Sequence, residues 1–299
     1  MLMNIGFIGL GIMGRPMALN IVKAGFSVKA FDLNEGARKT VVSAGAVEAL
    51  SPFEAAVDSD IIITMLPNAA IVREVLFGNE GINKALQKDS IVIDMSSVSP
   101  GDSVFCANEL KKLGVGFIDA PVSGGEPKAI DGTLAIMAGG DEVHIEKARP
   151  LLQAMAADVT HVGGHGSGST TKLANQILVN VTIAAVSEAV VLASKAGVDI
   201  KKMYEAIRGG LAGSTVLDAK IPLILERNFT AGGRIDINMK DLTNVVQAGR
   251  DIGVPMPLTT DVLEMFHALK VDGKAMDDHV GLIQYYEKLA NFEVPKGGK

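Results

Sequence analysis

The sequence predicts an α/β N-terminal half built on a parallel sheet, then an all-α C-terminal half, with one long helix joining them. Three observations carry this expectation. Short β-branched runs ending in Gly or Asp alternate with helix-like stretches through the first third, as in strands covered on both faces. A glycine cluster, Gly163-Gly164-His165-Gly166-Ser167-Gly168, breaks that alternation. Beyond it only helical periodicity remains.

The expected strands are Asn4–Leu10, Ser27–Phe31, Ile61–Met65 and Ile91–Asp94, and helical stretches cover Arg15–Ala24, Glu35–Ser43 and Pro52–Val57. Gly116–Asp119 and Leu134–Ala138 extend the sheet, and Val159-Thr160-His161-Val162 closes it. Ser169 or Thr170 is suited to cap a helix running to about Lys195, with Gly197 as its stop. That helix is apolar around most of its circumference, which implies burial on several sides. The boundary falls near Gly166, dividing the chain into 1–165 and 166–299. Pro295-Lys296-Gly297-Gly298-Lys299 reads as a frayed tail.

Composition narrows the function classes. A chain of 299 residues, 48% hydrophobic, can bury two cores. Its net charge of −6 repels phosphate backbones and argues against nucleic-acid or anionic-membrane partners. The single cysteine, Cys106, precludes an intrachain disulfide and suits a reducing cytoplasm. Its neighbours in Val104-Phe105-Cys106-Ala107 suggest the buried face of a helix rather than a catalytic thiol. The N-terminal apolar run is broken by Gly6, Gly9, Gly11 and Gly14, unlike a signal peptide. No membrane span is expected, since even Ile177–Ala193 carries Asn180, Thr182, Ser187 and Glu188. Metal-ligand spacing is absent: His144 and His161 look peripheral, His165 sits in the glycine loop, and His267 and His279 lie in the helical half.

Gly9-Leu10-Gly11-Ile12-Met13-Gly14 follows the first strand and opens the first helix, the context of a Rossmann-type dinucleotide corner. Gly9 permits the turn, Gly11 admits a diphosphate to the backbone, and Gly14 lets helix and strand approach. The diphosphate would rest on helix N–H groups at the positive end of the dipole. Asp32 ends the second strand, where a carboxylate accepts from ribose hydroxyls and repels a 2′-phosphate. Leu33 and Asn34 follow, where an NADP enzyme commonly carries Arg. NAD is therefore the favoured cofactor, although Arg38 or Lys39 could reach across and admit NADPH. Leu66-Pro67-Asn68 and Ser96-Ser97 lie at carboxyl ends of strands, where ligands bind in open α/β sheets. For Ser96 and Ser97, helix capping is an alternative reading.

Three further segments carry chemistry. Ser123 with the amides of Gly124 and Gly125 suits an anion-binding nest, and a plain turn has the same composition. Lys172, Asn175 and Gln176 share one side of the long helix by their spacing. An acid–base group is needed beside a nicotinamide, and otherwise Lys172 would simply snorkel from the first turn. Lys240-Asp241 alone would be a solvated helix start.

Together these pieces resemble the β-hydroxyacid dehydrogenase family. Gly6-Phe7-Ile8-Gly9-Leu10-Gly11-Ile12-Met13-Gly14-Arg15-Pro16-Met17-Ala18 is similar to its N-terminal signature and Asp119–Gly125 to its substrate motif. Lys172-Leu173-Ala174-Asn175-Gln176 is similar to its catalytic helix and Lys240-Asp241 to its C-terminal pair. The resemblance covers essentially the whole chain. It implies hydride transfer between a nicotinamide and a small carboxylate-bearing hydroxy or aldehyde acid. Lys172 would be the general acid, with Asn175 orienting it and the substrate. Ser123, Gly124 and Gly125 would hold the substrate carboxylate, with Asn175 and Gln176 beside it. Lys240 would close over cofactor and substrate. The cofactor would lie on Gly9 to Gly14, Asp32, Leu33, Asn34, Leu66, Pro67, Ser97 and Lys240. The all-α half implies a homodimer or homotetramer. A catalytically dead interaction scaffold of this fold is the non-enzyme alternative, and Lys172 argues against it.

Overall fold

The computed structural model describes residues 3–230 and 232–298. The chain divides into two compact units, the first ending at Lys172 and the second beginning at Leu173.

The first unit opens with β1 (Asn4–Ile8), α1 (Gly14–Lys23), β2 (Ser27–Phe31), α2 (Glu35–Ser43), β3 (Val47–Glu48), α3 (Pro52–Ala56), β4 (Ile61–Thr64) and α4 (Ala69–Phe77). It continues through β5 (Ile91–Asp94), α5 (Pro100–Lys111), β6 (Gly116–Asp119), β7 (Val122–Ser123), α6 (Gly125–Asp131), β8 (Leu134–Gly140), α7 (Glu142–Gln153) and β9 (Ala156–Gly163). The sheet order is β3-β2-β1-β4-β5-β6-β8-β7, with β9 also paired to β8. The first six strands of that order are parallel. Strand alternation divides the core between the two faces. Ile5, Phe7, Ile61, Ile63, Ile91, Ile93 and Ile118 join Met17 and Ile21 of α1 on one side. Ile8, Ile62, Val92 and Phe117 join Leu76 and Leu110 on the other. Local chemistry sets several helix starts: Asn34, Ser51, Asn68 and Ser99 cap α2, α3, α4 and α5 through their side chains, and Pro52 and Pro100 occupy the first helical turn.

Several expectations change. β1 stops at Ile8 rather than Leu10 because Gly9 turns the chain at φ +102°. β8 runs antiparallel to both β6 and β7, so the sheet is mixed at this end. β9 is longer than expected, covering Ala156–Gly163, and lies parallel to β8. Ser96 and Ser97 do not cap α5, a role taken by Ser99. Neither Ser169 nor Thr170 caps the long helix, α8 (Ser167–Lys195). The Asp119 carboxylate accepts from the N–H groups of Gly166 and Ser169 instead, while the Thr170 hydroxyl donates to the Gly166 carbonyl.

The second unit contains the rest of α8, then α9 (Ile200–Ile207), α10 (Thr215–Glu226), α11 (Ile235–Asp251), α12 (Pro257–Val271) and α13 (Leu282–Ala290). Ile183, Ala184, Leu242, Val245, Phe266 and Leu282 form one cluster, and Val190, Ile200, Ile221, Ile224, Ile283 and Val294 a second. The C-terminal segment is tied down rather than frayed: Gly297 N–H donates to the Leu225 carbonyl and Ile200 N–H to that of Gly298. Lys299 lies outside the described residues. α8 also meets the length and composition of a membrane span, with mean hydropathy 2.0 over its most apolar window, contrary to expectation. Its Val, Ile, Leu and Ala outweigh the polar groups in any such average. Asn180 and Ser187 are nonetheless fully buried and bonded, to the Gln176 and Ile183 carbonyls respectively.

A buried polar knot accompanies that helix. Asp278 accepts from the N–H groups of Gly232, Gly233 and Val280 and pairs with Lys220 at 2.9 Å. His279 Nδ1 meets Asn180 Oδ1 at 3.2 Å. Burial, then Lys220, lowers the His279 pKa from 6.5 to about 4, against the opposing effect of Asp278. The unfolded chain therefore takes up a proton between those values that the folded protein refuses, so stability falls as pH drops through that window. Scanning calorimetry from neutral pH to about pH 4 should show this decline, and His279→Gln should flatten it. Equal slopes for the two proteins would remove His279 as its cause.

Candidate active site

The cofactor corner is built by close packing. A Cβ at Gly9 would strike the Met65 carbonyl, and one at Gly14 would strike the Gly9 carbonyl. Gly11 is the exception, since a Cβ there would meet nothing within 4 Å. Leu10 and Gly14 are buried, Met13 half-buried and Ile12 exposed. No side chain caps α1 at Met13. Arg15 N–H donates to the Gly11 carbonyl and Pro16 has no N–H, so an anion would be met by the turn's amides ahead of Arg15, with open backbone at Gly11 giving it access. These residues fit a dinucleotide diphosphate.

Asp32 is held by the same corner. Its Oδ2 accepts from Leu10 N–H at 2.6 Å and its Oδ1 from Asn34 N–H at 2.7 Å. A carboxylate oxygen has more than one acceptor direction, so Asp32 can brace this loop and still receive a hydroxyl. Leu33 is almost fully exposed, and Asn34 caps α2 through Ala37 N–H. Arg38 lies beneath this turn, donating to the Asp32 carbonyl at 2.7 Å and to Glu48 at 2.9 Å. Ser96 joins two strand-end loops: its hydroxyl accepts from Leu66 N–H and its own N–H donates to Asp94. Pro67 is exposed and Ser97 half-buried.

The segment after β6 leads to Ser123, half-buried at the end of β7. Gly124 and Gly125 both have positive φ, +138° and +69°, and both are exposed at the start of α6. No side chain caps that start. Lys172 follows in the second turn of α8, half-buried, and is the last residue of the first unit.

The second unit contains a connected set of polar side chains. Asn175 Nδ2 donates to Gln176 Oε1 at 3.0 Å. Gln176 Nε2 donates to Asp241 Oδ2 at 2.6 Å, and Asp241 Oδ1 pairs with Lys240 at 3.1 Å. Gln176 and Asp241 are buried, while Asn175 and Lys240 are half-buried. The Lys240-Asp241 pair is thus no plain solvated helix start. Asp241 neutralises Lys240 and fixes the amide that orients Asn175. Asn238, not singled out in the sequence, lies 3.5 Å from Gln176 Nε2.

Three further titratable groups are buried. Cys106 is buried, and burial pushes its thiol up to about 12, as suits an unreactive core residue. Burial also raises Asp94 and Asp119, opposed by the hydrogen bonds that each accepts. Asp119 was visible in the sequence only as the head of a motif. A carboxylate at the end of an apolar strand was the signal that it is a buried anchor.

Comparison with known proteins agrees with this layout. Residues 4–163 match the NAD binding domain of 6-phosphogluconate dehydrogenase, and residues 166–286 match the NAD-binding family of NADP-dependent 3-hydroxyisobutyrate dehydrogenase. The chain is 40% identical to 2-hydroxy-3-oxopropionate reductase of Escherichia coli (strain K12), over 98% of this chain and 100% of that protein. It is 38% identical to 2-(hydroxymethyl)glutarate dehydrogenase of Eubacterium barkeri, over 98% of each. The solved structure of Mycobacterium tuberculosis 3-hydroxyisobutyrate dehydrogenase with L-serine superposes with a TM-score of 0.89 at 31% identity, covering 96% of this chain and 99% of that one. With a dinucleotide corner, an all-helical second unit and full-length relatives of this kind, the chain belongs to the β-hydroxyacid dehydrogenase family and is an NAD(P)-dependent oxidoreductase.

Proposed function

We propose that the protein reduces tartronate semialdehyde (2-hydroxy-3-oxopropanoate) to D-glycerate, using NADH. Support for the substrate comes chiefly from full-length identity to a 2-hydroxy-3-oxopropionate reductase, together with Lys172 and Asn175 on α8. The relatives act on several acids, so a 3-hydroxyisobutyrate dehydrogenase or a broad short-chain semialdehyde reductase is the second reading. A bound reduced nicotinamide supplies the hydride. The chain's residues do the remainder. Gly9 to Gly14 and Asp32, flanked by Leu33, Asn34, Leu66, Pro67 and Ser97, hold the dinucleotide. Ser123 and the amides of Gly124 and Gly125 hold the substrate carboxylate. Lys172 donates its proton to the aldehyde oxygen, Asn175 and Gln176 orient the substrate, and Lys240 contributes a cation. A homo-oligomer is part of the proposal, supported by Leu178 and Leu192, which expose 70% and 73% of their surface on α8.

Replacing Lys172 with Met should lower kcat by roughly 10²–10⁴-fold while NADH still binds. Near-normal turnover in that variant would dismiss the proton-donor role.

NADH should have the higher kcat/KM of the two reduced cofactors. Asp32→Ala should narrow or reverse the preference by about 1–2 kcal/mol, because the ribose acceptor and the repulsion of a 2′-phosphate are lost together. An unmodified enzyme severalfold better with NADPH would contradict this assignment.

Glyceraldehyde tests the carboxylate site, since it keeps the aldehyde but lacks the acid. It should be poorer than tartronate semialdehyde by about 2–3 kcal/mol, or roughly 30- to 150-fold in kcat/KM. Equal values would mean that the Ser123 segment binds no carboxylate.

A further inference from the structure

We infer that Asp119 is a positioning residue for Lys172, acting by seating the first turn of α8 against the end of β6. The inference rests on the proposal that Lys172 is the proton donor. Asp119 is 1% exposed, and its two carboxylate oxygens are used by one helix start. Oδ1 accepts from Gly166 N–H and Oδ2 from Ser169 N–H, each at 2.8 Å. Lys172 follows one helical turn after Ser169.

An ordinary helix is capped by a neighbouring Ser, Thr, Asp or Asn. Here the cap lies 47 and 50 residues back in the chain, on a strand. Burying a carboxylate carries a desolvation cost, which these charge-assisted bonds and the helix dipole offset in part. The arrangement converts the rigid sheet into the reference frame for the lysine's turn.

Steric fit reinforces the hydrogen bonds independently. A Cβ at Gly168 would collide with the Asp119 and Met137 carbonyls, and one at Gly139 with Asp119 Oδ1 and Gly168 N. The helix start thus lies on β6 and β8 with no room for side chains between them. Ser103 of α5 holds the same turn from another side, its hydroxyl 2.9 Å from that of Ser169. Asp119 also begins the Ala120-Pro121-Val122 segment that leads to Ser123. One carboxylate therefore fixes the helix of the proposed proton donor and the origin of the proposed substrate loop.

Asp119→Asn is the direct test, because it keeps the size but turns one acceptor into a donor facing a backbone N–H. It should lower kcat roughly 10²-fold, as expected for a donor displaced by about an ångström. Fluorescence titration should show NADH binding unchanged. The basic limb of the kcat–pH profile should shift, because a lysine whose helical turn is displaced titrates in different surroundings. Ile145→Ala, a cavity in the core beneath α7, controls for lost stability and should leave that limb in place. Gly168→Ala keeps the carboxylate but forces the helix start away, and should also lower kcat. It serves as the test if Asp119→Asn does not fold. Unchanged kcat and pH profile in Asp119→Asn or Gly168→Ala, beside an inactive Lys172→Met, would overturn the inference and leave the lysine's role intact. A loss of kcat matched by Ile145→Ala at equal Tm would overturn it as well. An active Lys172→Met enzyme would instead remove the proton-donor reading on which it stands.

Discussion

The seating of the first turn of α8 on the end of β6 and the adjoining part of β8 is the constraint around which the candidate chemistry is arranged. The helix carries Lys172, Asn175 and Gln176 within its first turns. Its start is fixed by a buried carboxylate and by glycines that leave no gap. A long helix left to its own propensity frays at the ends, where its N–H groups lack partners. Two charge-assisted bonds remove that freedom just ahead of Lys172, the proposed proton donor. Displacing such a group is costly to catalysis even when the group itself is retained.

The dinucleotide corner follows the opposite logic. Gly9 and Gly14 are packed against backbone, so the turn is rigid, while the backbone at Gly11 lies open. Asp32 joins the two properties. It braces the loop through Leu10 N–H and is the proposed acceptor for a ribose hydroxyl. The second unit adds a relay of its own, running from Asn175 through Gln176 and Asp241 to Lys240. Each member restrains the next, so a half-buried charge pair and two amides keep one arrangement.

What the sequence disclosed depended on whether the physics was local. The β-branched runs gave the strand centres, because continuous apolar segments bounded by Gly and Asp suit a sheet covered on both faces. The glycine corner, Asp32, and the turn bearing Lys172 and Asn175 were equally legible, since each is a short-range pattern. Strand direction was not, and β8 therefore entered antiparallel to β6 without warning. Long-range pairs were also silent. The Asp119 cap and the Gln176–Asp241 bond link residues tens of positions apart, and hydropathy carries no record of them. Gly298 looked like part of a loose tail because its buried contact with α9 exists only in three dimensions. No span was expected because Ile177–Ala193 carries polar residues, yet these are too few to lower the hydropathy average of α8, and Asn180 and Ser187 bond to its own carbonyls.

The central claim is the identity of the acid reduced, and steady-state kinetics on a panel of semialdehydes tests it most directly. The purified protein would be assayed with NADH against tartronate, methylmalonate and succinic semialdehydes under one set of conditions. The account predicts the highest kcat/KM for tartronate semialdehyde, whose 2-hydroxyl and carboxylate suit the polar side chains on α8 and the Ser123 segment. A higher kcat/KM for methylmalonate semialdehyde, or equal values across all three, would contradict it.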